Sequence, residues 1–353
     1  MRVCRKIVRH LIFWSLLFVL VQPILAADLK LKFSGIHPEI AIQSRGYKFF
    51  MQKVTEKTNG RITFETYWGA RLISPAENID GTGSGLADLS SGIWISDPGR
   101  VPLGCFEYNF LFNPKDYKLQ SKIKRQIYDE VPAMNGELAK FNLGPAPCFW
   151  GISSYHIMSK KPVKSLADLK GMRLSFTPVE FVPAFKAVGA VPVISVAHEF
   201  YDRLERGVVD GIVLADEVSF VFKQHEVAKH HTTINLAAAA PFTVYINMDT
   251  WKKLSPEDQK AFREAGKESD IFYNNELDNY LAMVHKTFKS AGVQYYEMPS
   301  EDIKKWVSSM PDLPAEWAKK METKGLPGWK IVERYLDLTK KEGFEFPRKW
   351  GVR

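Results

Sequence analysis

Residues Leu29 to Gly35 are strand-like and end in Ser-Gly. Apolar positions then recur at helical spacing from about Ala41 to Thr58, with Phe49, Phe50 and Val54 on one face. Asn59-Gly60 ends that helix, because a C-terminal cap favours positive φ. Ile62 to Trp68 alternates as a strand, Glu77 to Gly85 reads as a weaker helix, and Ala87 to Ile95 as another strand. This βαβαβ rhythm predicts parallel strands with helices packed on both faces.

The rhythm resumes after Phe149. Ser165-Leu-Ala-Asp168 has the form of a helix start with Ser165 as N-cap, and Met172 to Phe176 reads as a short strand. Ser195 is expected to cap a second helix, on which Phe200 and Leu204 share a face. Gly207 closes it, and Val208 to Leu214 follows as a strand. Ser255-Pro-Glu-Asp258 combines a cap, a proline at the first position and acids in the first turn. The apolar pattern then runs to about Ser290, long enough for a helix that bridges two lobes. Shorter helices are expected around Ile303 to Ser308 and Gly328 to Lys341.

The N-terminus breaks from this pattern. Arg2, Arg5, Lys6 and Arg9 precede an apolar run from Leu11 to Leu25 that contains Pro23 and ends at Ala26-Ala27. That is the layout of a secretory signal peptide cleaved after Ala26, and the run is short for a membrane anchor. Four of the +8 formal charges lie in that leader, so the rest of the chain carries about +4, too little and too dispersed for a nucleic-acid partner. No later run is long enough to span a membrane. A soluble, exported, periplasmic protein is expected, and 353 residues suit two cores rather than one. Cys105 and Cys148 remain after the leader, either as a disulfide or as two buried thiols.

Catalytic signatures are missing. Gly81-Thr-Gly-Ser-Gly85 lacks the Lys-Ser/Thr of a phosphate loop and the spacing of a dinucleotide fingerprint, so it reads as a helix end and turn. Thr82 and Leu86 stand where a nucleophile elbow around Ser84 needs glycines. His225, His230 and His231 cluster without HExxH spacing and read as solvated histidines at a helix end rather than a metal site. No CxxC is present, and no cofactor is expected.

Several segments together resemble the substrate-binding subunits of tripartite ATP-independent periplasmic (TRAP) transporters. They are GRITFETYWGARL (60 to 72), GCFEYNFLF (104 to 112), SKKPVKSLADLKGMRL (159 to 174), VGAVPV (188 to 193), GVVDG (207 to 211) and the helix entry from Trp251 to Gln259. The resemblance covers nearly all of the chain after the leader. It implies an α/β, two-lobed periplasmic binding protein fold with a ligand cleft between the lobes and a long helix spanning both. The lobes would comprise 27–151 plus about 241–280, and 152–240 plus about 281–330, followed by a helical tail at 331–353. It also implies hinge closure on a small organic solute and delivery to membrane permease subunits, and neither catalysis nor an oligomer is expected.

The family usually clamps a substrate carboxylate with arginine, whose planar fork makes two parallel charge-assisted hydrogen bonds. The chain departs from that pattern. Ser175 stands four residues after the glycine of DLKG, where the main arginine belongs, and Ser154, beside Tyr155, matches the second. After GVVDG the family often has Gln-Glu-Asn; here Ile212, Val213 and Leu214 follow. Matched cleft positions also fall at Ile36-His37 and Ile93-Trp94. His37, Trp94, Ser154, Tyr155, Ser175 and Leu214 are therefore the expected ligand contacts, with Trp68 a weaker one, and Glu107 is read as structural. A buried carboxylate without a cation is costly, so the expected solute is neutral or aromatic, with a cation admissible over aromatic faces. The rival for a carboxylate is a displaced clamp through Arg173, two residues before Ser175. A binding protein that feeds a sensory receptor and a secreted hydrolase are two further rivals. Neighbouring genes for two membrane subunits would separate the receptor role from transport, and turnover would reveal a hydrolase.

Overall fold

The computed structural model describes residues 29–352. The expected leader and its cleavage point after Ala26 lie outside the described residues. The chain builds two sheets. The first contains β1 (Leu29–Ser34), β2 (Ile62–Tyr67), β3 (Leu89–Ile93), β4 (Trp150–Ile152) and β10 (Ala239–Ile246), in the order β2-β1-β3-β10-β4. The second contains β5 (Tyr155–Ser159), β6 (Arg173–Phe176), β7 (Val191–Ile194), β8 (Gly211–Ala215), β9 (His230–Thr233) and β11 (Gln294–Glu297), in the order β11-β9-β5-β8-β6-β7. The βαβ units give parallel pairs (β1 with β2 and β3, β6 with β7 and β8) as the alternation of strand and helix requires.

The sheets are joined where β4 runs into β5 and β9 into β10. These crossings stay side by side, since Tyr155 N–H donates to Ala237 O (3.0 Å) and Leu236 N–H to Tyr155 O (3.1 Å). The helix Pro256–Ser290 has 35 residues and spans about 52 Å at 1.5 Å per residue. Ser255 caps it by accepting from Asp258 N–H, as its sequence requires. Its first half packs on the helix Ile42–Lys57, with Phe49 stacked on Phe272 and Phe50 edge-on to Phe262. Its second half packs on the second lobe, where Tyr280 and Phe288 meet Phe220. The long helix therefore spans both lobes. Trp306, on the helix Ser300–Ser309, donates to Ala184 O (2.8 Å) in the second lobe and packs edge-on against Phe112 from the first.

Several local expectations differ. Ser195 caps nothing: its hydroxyl pairs with that of Ser175, and the 3-10 turn at Ala197–Glu199 begins after Val196 without a side-chain cap. His231 is not a solvated helix-end residue but a buried strand residue bonded to Asp216. His225 is also buried. Cys105 and Cys148 are free, buried thiols whose pKa values are pushed up by burial. The helix Leu313–Glu322 packs against Pro102–Asn109 and the helix Gly328–Lys341, so it sides with the first lobe although residues up to 330 were expected in the second.

Candidate functional site

In open α/β sheets ligands bind beyond the carboxyl ends of parallel strands. In the first sheet those ends lead to Gly35-Ile36-His37, Trp68 and Trp94. In the second they lead past Phe176, Ile194 and Ala215, and antiparallel β5 begins beside them, with Tyr155 paired to Ala215. Beside the crossings the lobes touch through Tyr155, Tyr108 and Phe181. At the first edge the chain turns at Gly35 in close contact with the Trp68 ring: a Cβ there would collide with Trp68 Cε3, so only glycine fits.

His37 lies in an aromatic corner, with its ring 6.4 Å from Tyr47 and edge-on to Phe242 at 5.8 Å. Burial pushes its pKa down to about 4, which leaves the imidazole neutral, and its Nδ1 is buried with no hydrogen-bond partner. Phe242 in turn approaches Tyr273, which stacks on Trp150 at 5.2 Å. Trp94 occupies a different place. Its ring is wholly buried in the first lobe between Tyr128 (5.4 Å) and Tyr245 (5.6 Å), beneath the Lys124 ammonium (5.4 Å).

Tyr155 is where the lobes meet. Its ring packs edge-on against Tyr108 of the first lobe (6.0 Å) and Phe181 of the second (5.1 Å). Ser154 beside it is buried, and its Oγ has no partner. Ser175 is fully buried; its hydroxyl donates to Val193 O (3.0 Å) and pairs with Ser195 Oγ. Leu214 is buried on β8 in register with His156. Among the described residues, no hydrogen bond, ring contact or strand register joins one of the six expected site residues to another. They do not form one bonded cluster, and Trp94 lies inside the first lobe away from the others.

Arg173 lies at the opposite, amino end of β6. Its side chain is 44% exposed and engages Asp210 through Nε (3.1 Å) and Nη2 (2.8 Å). Glu107 is tied into the first lobe, accepting from Lys124 Nζ (2.6 Å) and Ala240 N–H (2.9 Å). The sequence reading missed Glu217, which is fully buried at the end of β8 and accepts from Ser153 N–H (2.9 Å) and Ser153 Oγ (2.5 Å). Two adjacent acids after an apolar strand, Asp216-Glu217, are the signal that could have found it. Glu180 was also missed; its Oε2 is buried without a partner, and burial raises its pKa.

Two cavities flank this region. A small one of about 20 Å³ touches Ile36, Ile93 and Tyr245 at the first edge. A much larger groove of about 980 Å³ touches none of the six residues; it runs along 112–119, 233–235, 297–304 and 342–347. No helix among the described residues is long and apolar enough to cross a membrane.

Residues 33–320 match the model of the bacterial extracellular solute-binding protein family 7. The chain is 25% identical over 312 residues to the C4-dicarboxylate-binding periplasmic protein DctP of Rhodobacter capsulatus, which covers 87% of this chain and 92% of that protein. It is similar in fold to a TRAP periplasmic solute-binding protein from Desulfovibrio salexigens, with TM-score 0.78, 23% identity, and 91% and 98% of the two chains covered. A marine-metagenome TRAP protein specific for aromatic acid ligands, seen with 3-hydroxybenzoate, gives TM-score 0.77 at 24% identity, with 90% and 99% covered. With the family model spanning both lobes and the long helix, the chain belongs to the bacterial extracellular solute-binding protein family 7, the extracytoplasmic TRAP binding proteins for small organic solutes.

Proposed function

We propose that this protein captures a small solute that carries no ordinary carboxylate and delivers it, as a monomer in the periplasm, to TRAP permease subunits. The related proteins named above bind a C4-dicarboxylate and an aromatic acid, so the proposal sets this chain apart within its family. The observation that carries it is the absence of a cationic clamp, among the described residues, at the expected positions. Ser175 and Ser154 occupy the expected arginine positions, the Ser175 hydroxyl is spent on Val193 and Ser195, and the Arg173 guanidinium is engaged by Asp210 on the surface. The other expected contacts carry no positive charge: His37 with its lowered pKa, Tyr155, Leu214 and the Tyr108–Phe181 contact. Such a set suits a neutral or aromatic body. Burying a carboxylate there without a partner would cost several kcal/mol.

Support for a binding rather than catalytic role comes from the family and from the lack of a nucleophile–base arrangement in the sequence. Hinge closure is the expected mechanism, with the two crossings around Ser153–Tyr155 and Ile234–Ala239 as pivots. Native mass spectrometry of protein purified from its periplasm tests the ligand class. A retained solute without a carboxylate is expected; a retained mono- or dicarboxylate would overturn the proposal.

A further inference from the structure

We infer that the cleft is built for an organic cation, a primary or quaternary ammonium, with the Glu217 carboxylate as its counter-ion and tyrosine rings beside the hinge as its walls. This rests on the reading that the solute sits between the lobes and is not a carboxylate.

The first observation is a charge inventory of the buried acids. Glu107 has Lys124 at 2.6 Å, Asp258 has Arg61 at 2.8 Å, and Asp270 accepts from Arg125 Nε at 2.8 Å. Asp216 has His231 at 2.9 Å and His285 at 3.0 Å. Two of the described buried acids lack a basic partner: Glu137 accepts from Leu103 N–H (2.8 Å) and Gly104 N–H (3.3 Å) within the first lobe, and Glu217, as deeply buried as any of them, has the amide and hydroxyl of Ser153 as its described partners, so its position at the crossing is what sets it apart. Among the described residues no lysine, arginine or histidine forms an ion pair with it. Two hydrogen bonds orient both oxygens but supply no positive charge, and a buried charge left so is strongly disfavoured.

The second observation is where that carboxylate sits. Glu217 follows β8 at its carboxyl end, and Ser153 belongs to the crossing between β4 and β5. The next residue, Ser154, has a buried hydroxyl without a partner, and Tyr155 after it makes the interlobe ring contact. The carboxylate is thus held on the pivot, among positions already expected to face ligand.

The third is what surrounds it. Burial raises the phenol pKa of Tyr155, Tyr273 and Tyr280, and the negative charge of Glu217 adds to the rise in each. Tyr273 is wholly buried with an unpartnered hydroxyl, and its ring is stacked on Trp150. A carboxylate near phenols, one of them with an unpartnered hydroxyl, is a setting that can recognise ammonium groups, through charge, cation–π attraction and N–H or C–H donation. Glu180 adds a second buried acid at the contact between lobes, with one oxygen unpartnered.

The test uses compounds that differ mainly in charge. Wild type and Glu217→Gln are titrated calorimetrically with benzylamine, benzyl alcohol and benzoate, and with choline against its neutral isostere 3,3-dimethylbutan-1-ol. At least one cation should bind wild type about 30-fold or more tightly than its neutral counterpart, and Glu217→Gln should abolish that preference. If Glu217→Gln fails to fold, the wild-type ratio of cation to isostere decides alone. Tighter binding of the alcohols overturns the cation inference and leaves the non-carboxylate reading intact. Tightest binding of benzoate overturns both. Absence of binding by either cation at millimolar concentration overturns the inference.

Discussion

Replacing Lys124 by methionine isolates the buried ion pair that ties Pro102–Asn109 to the first lobe's sheet. Lys124 and Glu107 are both fully buried. The ammonium donates to Glu107 Oε2 (2.6 Å) and Gly104 O (2.7 Å), and it lies over the rings of Trp94 and Phe106. The other carboxylate oxygen accepts from Ala240 N–H on β10, so the pair ties Pro102–Asn109 to the sheet. Lys124→Met keeps the volume but strands a buried carboxylate, a loss of about 3–5 kcal/mol. At roughly 2 °C per kcal/mol for a chain of this size, the melting temperature should fall by about 6–10 °C. Glu107→Gln alone strands the ammonium and is also costly. The double variant removes both charges and should return to within about 2 kcal/mol of wild type, since a buried pair replaced as a unit is often nearly neutral. Calorimetric melts of all four proteins give the coupling, expected at about 2 kcal/mol or more. If the single effects add within about 0.5 kcal/mol, the two groups act independently and the reasoning fails. Ligand affinity of the double variant should stay close to wild type if Glu107 is structural.

Arg173→Ala should leave affinity within about two-fold and stability within about 1 kcal/mol, because its pair with Asp210 is exposed; a ten-fold loss of affinity in a binding titration would revive the displaced clamp. His285 holds a pKa raised above 6.5 by its hydrogen bond to Asp216, so its contribution is complete below that value and disappears as pH rises through the folded pKa. The melting gap between wild type and His285→Ala should therefore be widest at about pH 6 or below and close toward alkaline pH; a gap that widens with pH would contradict the pairing. Gly266 lies in the long helix where a Cβ would collide with Pro147 O. Alanine usually stabilises a helix, but here it should cost about 3 kcal/mol in urea unfolding, and a stabilised variant would refute the close approach.

What the sequence disclosed follows from which signals are local. The Ser255-Pro-Glu-Asp258 start and the helix Gly328–Lys341 were legible because caps and apolar spacing act within a few residues. The crossing strands were not. β4 and β5 are short and buried along their whole length, so they show no alternation, and β10 follows an alanine-rich run whose fate is set by the sheet. Ser195 looked like a cap because its hydroxyl suits one, yet the nearby Ser175 hydroxyl claims it. His231 and Asp216 lie 15 residues apart, and only the return of β9 beside β5 brings them together. The same applies to Glu217 and Ser153, separated by 64 residues. The family resemblance supplied positions along the chain but not surroundings: Tyr155 lies at the contact between lobes, whereas the Trp94 ring lies inside the first lobe among Lys124 and two tyrosines.

The central claim is that this family member lacks the carboxylate clamp. A thermal-shift screen of wild type against matched amines, alcohols, polyols, neutral aromatics and carboxylates tests it most directly. A ligand at about 100 times its dissociation constant stabilises by about 2.7 kcal/mol, enough to raise the melting temperature by several degrees. The account predicts that the compounds producing such shifts carry no carboxylate. Shifts produced by carboxylates alone would contradict it.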